Sequence, residues 1–73
     1  MLDDGTYDAI VIDATPAEAP GALVVELTLL GGSHRGEMVT ITAAGVSRDP
    51  LDLLAVPATI VVTDGQPVLT FDD

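Results

Sequence analysis

The sequence predicts an all-β single domain of five strands, with one short helix between the third and the fourth. Three observations carry that prediction. Most of five apolar runs are rich in β-branched residues, and glycines and prolines punctuate the gaps between them. The dipeptide Asp64-Gly65, set between two such runs, is the signature of a two-residue hairpin. The 73 residues suit one small domain spanning 1–73. A chain of this size buries only about 60% of the surface its unfolded form exposes, so its core must be well filled. Hydrophobic residues make up 48% of the chain, enough to fill it, while the absence of cysteine excludes disulfide or thiolate–zinc reinforcement.

The first strand, 6–14, carries Tyr7, Ala9 and Val11 on one side and Ile10 and Ile12 on the other. Apolar residues on both faces are what a strand central to a barrel requires. A loop follows at 15–21, where two prolines and a glycine interrupt the pattern. The second strand, 22–30, alternates: Leu23, Val25, Leu27 and Leu29 point inward, and Val24, Glu26 and Thr28 outward. A glycine-rich turn at 31–35 leads to a third strand, 36–42, with Val39 and Ile41 inward.

At 49–55 the β pattern breaks. Asp49 suits a helix N-cap, Pro50 the first helical position and Asp52 the positive end of the helix. Leu51 and Leu54, three apart, are expected to plug one end of the barrel, and Pro57 limits the helix to two turns. The Asp64-Gly65 turn then sets a register: Thr63 opposite Gln66, Val62 opposite Pro67, Val61 opposite Val68, Ile60 opposite Leu69, Thr59 opposite Thr70 and Ala58 opposite Phe71. In that register Ala58, Ile60, Val62, Leu69 and Phe71 share the core face. Leu27, Val39, Ile60 and Leu69 are expected to be buried.

The order strand, strand, strand, short helix, strand, strand resembles the OB-fold, a five-stranded Greek-key barrel with its helix between strands three and four. The resemblance spans nearly the whole chain and is architectural, so it implies a fold and not a function. An SH3-like barrel is the alternative. The stretch 27–41, with apolar alternation followed by Gly32-Ser33-His34-Arg35-Gly36, resembles the KOW motif of ribosomal and transcription-factor barrels. It also resembles the small barrel segment of some bacterial membrane proteins. The acidic flanks and the position of the helix favour the OB-like order.

Charge narrows the function classes. Twelve carboxylates face two arginines and no lysine, for a formal charge of −10. Such a surface repels phosphate backbones and anionic membranes and keeps an apolar domain dispersed. Single-strand binders need a positive groove and stacking aromatics, whereas the only aromatics besides His34 are Tyr7 and Phe71, both at core positions. The acidic start Met1-Leu2-Asp3-Asp4 does not read as a secretory signal, and the near-apolar run 53–62 is too short to span a bilayer and contains Pro57. The expectation is a cytoplasmic protein with no membrane association.

Candidate sites are few. His34 and Arg35 sit in the 31–36 turn, where Gly31, Gly32 and Gly36 allow amides to converge on an anion. The plainer reading is a strand connection with two solvated side chains. The terminal pairs Asp3-Asp4 and Asp72-Asp73 offer hard oxygens but no EF-hand spacing, and are expected to be solvated; no metal and no cofactor is expected. A nucleophile–base pair would need His34 with Ser33 or Ser47, without an orienting third group, so no enzymatic activity is expected. What remains is a protein–protein interaction module with an unidentified protein partner or a second copy as partner; the alternative is a nucleic-acid- or anion-binding OB-like barrel that uses His34 and Arg35 in the 31–36 turn. The module's candidate contacts are the outward cross-strand pair Val61 and Val68, with Met38 on the third strand. An exposed strand edge is a second route to pairing, and the acidic surface favours a basic partner.

Overall fold

A computed structural model describes residues 3–46 and 48–72. Five antiparallel strands form a curled half-barrel: β1 (Gly5–Pro16), β2 (Leu23–Leu29), β3 (Met38–Ala43), β4 (Pro57–Thr63) and β5 (Gln66–Phe71). A single 3-10 turn, η1 (Pro50–Leu53), joins β3 to β4. The strand order across the sheet is β3-β2-β1-β4-β5. Three strands connected in succession, with the fourth returning beside the first, make a Greek key. β1 is therefore central, but only one of its faces is enclosed: on the other, Ile10 is half-buried and Ile12 exposed. β3 and β5 are the two edges, and they approach one another without a ladder between them.

The core lies on the concave side. Ala9 and Val11 of β1, Leu23, Val25, Leu27 and Leu29 of β2, and Ala58, Ile60 and Val62 of β4 are all buried there. The alternation on β2 holds over its whole length. On β1 it breaks: the pairing with β2 shifts between Val11 and Asp13, and Ile12 is the extra residue. This bulge moves the buried position from odd to even numbers, so that Ala14 points inward after Val11 and Ile12 is left exposed. Tyr7 and Phe71 pack against the core but stay partly open.

Two expectations are corrected. Leu51 and Leu54 do not plug the barrel; Leu51 is 75% exposed, whereas Leu53 is fully buried. The helix is one 3-10 turn, and Leu54 is already extended at ψ 131, so no second turn carries its side chain inward. Asp49 does cap it, its carboxylate accepting from the Leu51 N–H at 2.9 Å. Leu53 and Val56 take the plug position instead, fastened to β1 where Ala55 N–H donates to Val11 O and Val11 N–H to Val56 O. Val39 and Leu69 pack on the core but are only half-buried, because each lies on an edge strand with no neighbour beyond it.

The last hairpin takes the expected register pair for pair. Asp64 and Gly65 both have positive φ, 52° and 76°, the backbone of a type I′ turn. The turn is also held from outside: the Asp4 carboxylate accepts from Asp64 N–H at 3.0 Å and Gly65 N–H at 3.1 Å. At the other end of the hairpin, the Thr59 hydroxyl donates to the Asp72 carboxylate at 2.5 Å. Asp3, Asp4 and Asp72 are exposed, as expected of terminal acids, but Asp4 and Asp72 are also fastened to the hairpin by these bonds; Asp73 and Ser47 lie outside the described residues.

Candidate functional site

The turn between β2 and β3 closes on itself. Gly36 N–H donates to Leu29 O at 2.8 Å, Glu37 N–H to His34 O at 3.0 Å and Arg35 N–H to Gly32 O at 3.3 Å. Gly32 and Gly36, with φ of 75° and 87°, take the left-handed backbone that this path needs. Three amides of the connection therefore serve two carbonyls of the turn and one of β2. His34 Nδ1 pairs with Glu37 Oε2 at 2.5 Å and sets its ring edge-on to Tyr7, with centroids 6.1 Å apart. The Tyr7 hydroxyl in turn donates to the Asp3 carbonyl. An open cleft of about 310 Å³ lies here, lined by Asp3, Thr6, Tyr7, Asp8, Ser33 and His34 among others. Its carboxylates give it the wrong sign for an anion, and Arg35 is not among the residues that line it. Among the described residues no three His, Asp or Glu side chains come together to hold a metal ion.

The outer face of the sheet is different in character. Val61 and Val68 are cross-strand partners, 38% and 59% exposed, and Thr6 of β1 completes their row. Met38, 64% exposed, lies at the opposite edge, in the row of Thr28 and Ile10. The sheet thus separates Met38 from the valine pair along its outer surface. Between the edges, Val68 also joins Pro67 and Leu69 in lining a second cleft of about 220 Å³, whose other wall is Ile41, Thr42, Ala43 and Ala44. This cleft marks the unzipped seam of the half-barrel.

The seam's two sides are unequal, and sequence patterning did not single this out. On β5 the outward-directed backbone belongs to Pro67, Leu69 and Phe71, since Asp72 N–H donates back to Pro57 O and an antiparallel ladder alternates. Pro67 has no N–H to offer, and the Arg48 guanidinium lies over the Phe71 ring, 5.7 Å from its centroid. On β3, Leu29 exchanges bonds with the Gly36–Glu37 segment, so Val39, Ile41 and Ala43 bond to β2. The N–H and C=O groups of Met38, Thr40 and Thr42 consequently point off the sheet. Only a strand known to be an edge shows this, and edge status comes from long-range pairing.

Compared with protein-family models, curated proteins and solved structures, the chain shows no match. No helix among the described residues is long and apolar enough to cross a membrane.

Proposed function

We propose that the domain is a non-catalytic protein-interaction module of the OB-like barrel type, acting in the cytoplasm through the outer surface of its sheet. The observation that carries this reading is the exposed Val61–Val68 pair, two apolar side chains cross-strand from one another on a face otherwise rich in threonine. A single exposed valine is ordinary, but adjoining ones beside an open seam are a feature of contact surfaces. The acidic charge favours a basic protein partner and a fast, salt-sensitive encounter. The same charge opposes nucleic acid, whose binding depends on cations meeting phosphates.

The test compares wild type with Val61→Lys in capture from native lysate, with circular dichroism on both. A partner held by wild type and lost by a folded Val61→Lys variant is the expected result. Equal capture by both proteins contradicts a role for this face. Light scattering across concentrations separates the self-associating version: a mass that stays monomeric leaves only a different protein as partner.

A further inference from the structure

We infer that β3 is a docking edge, on which an extended, basic segment of a partner protein adds as a sixth strand along positions 38–42. The inference rests on the interaction-module reading and names its site and the chemistry of its partner. An edge strand presents unpaired backbone groups as a template, and natural proteins blunt such edges with proline, lysine, bulges or a covering loop. β5 is blunted by Pro67 and by Arg48 over Phe71. β3, reading Met38-Val39-Thr40-Ile41-Thr42-Ala43, carries neither a charge nor a proline. Its outward amides and carbonyls at Met38, Thr40 and Thr42 match the hydrogen-bonding period of an incoming strand. Met38 and Thr40 are exposed and lie outside the lining of the cleft toward β5, so the added strand has access from that end.

Side-chain rows specify the partner's chemistry. On the inner side half-buried Val39 offers apolar contact to the added strand, whereas Ile41 is already buried and faces the cleft toward β5. On the outer side Thr40 pairs with Glu26, and Glu26 pairs with Asp13 of β1. Two carboxylates directly across from each other repel. An added residue opposite Thr40 lies about 10 Å from Glu26, two strand spacings, which the combined lengths of a lysine or arginine and a glutamate span. The incoming strand therefore alternates basic and apolar residues. A second copy brings its own −10 charge and no lysine, and fits this edge poorly.

The experiment titrates the isotope-labelled full chain with a short synthetic peptide alternating lysine and valine. In parallel it uses the same peptide N-methylated at alternate backbone nitrogens, which keeps charge and side chains but blocks strand pairing. Expected are amide shifts concentrated at positions 38–42 and at Glu26, with the N-methylated peptide binding at least about tenfold more weakly, as loss of one or two hydrogen bonds implies. Thr40→Lys, adding an edge charge, should weaken the unmodified peptide while β2 and β4 amides keep their positions. Equal binding by both peptides, with shifts spread over all acidic residues, overturns the proposal as charge attraction alone. Shifts confined to Thr6, Val61 and Val68 also overturn it, yet leave the interaction-module reading standing. Concentration-dependent self-association that shifts the β3 amides without peptide overturns it in favour of a second copy.

Discussion

Leu51 and Leu53 are two positions apart in η1 and differ almost completely in exposure. Leu53→Ala removes a side chain from the closed core, and a cost of about 2–5 kcal/mol is expected. Leu51→Ala touches solvent and should stay within about 0.5 kcal/mol of wild type. Denaturant melts of the two variants check this, and equal losses would invert the phase assigned to the turn. That phase is not legible from Asp49, Pro50 and the leucine spacing, because α and 3-10 turns share those capping residues and differ only in how far they continue. Asp4 teaches a similar lesson from the other direction. Its carboxylate reaches two amides some sixty positions away, a contact that no local pattern announces. Asp4→Ala should speed hydrogen exchange at the Asp64 and Gly65 amides, and Asp4→Asn, which keeps one acceptor, should speed it less.

Among the elements, the β4–β5 hairpin was the most legible. Turn chemistry and hydrophobic phase point to one register there, and each checks the other. Since Gly65 has φ 76°, Gly65→Val forces a β-branched residue into left-handed backbone, whereas Gln66 is ordinary strand. Gly65→Val should therefore lower the melting temperature well beyond Gln66→Val; equal shifts would mean a different loop. β2 was legible for a related reason, since a strand buried on one face alternates without interruption. β1 was legible only as far as Val11. The Ile12 bulge depends on how β1 meets β2 and leaves no mark in a run that is apolar on both faces.

For the molecule as a whole, the half-barrel explains which predicted core residues are truly enclosed. Leu27 and Ile60 lie on interior strands and are fully buried, whereas Val39 and Leu69 flank the seam. Leu27→Ala should accordingly cost more than Leu69→Ala, near the upper and lower parts of the range of about 2–5 kcal/mol. Burial of this kind follows from which strands end up as edges, a property of long-range pairing that periodicity within a strand does not encode. The candidate site divides the same way. Val61 and Val68 were visible from the hairpin register, while the contrast between a blunted β5 edge and an open β3 edge emerged only with the sheet order.

Contact through the valine pair requires one face of the sheet to be core and the other to be free. The most direct test compares Val61→Lys with Val62→Lys, neighbours in sequence on opposite faces of β4, by thermal melting followed with circular dichroism. Val61→Lys should melt within a few degrees of wild type, since an exposed substitution changes stability by about 0.5 kcal/mol and each kcal/mol moves a domain of this size by about 4–8 °C. Val62→Lys should abolish the cooperative transition, because it buries an unpaired charge. A stable Val62→Lys protein beside an unfolded Val61→Lys protein would contradict the account, for the valine pair would then be core and the contact face would be the other one.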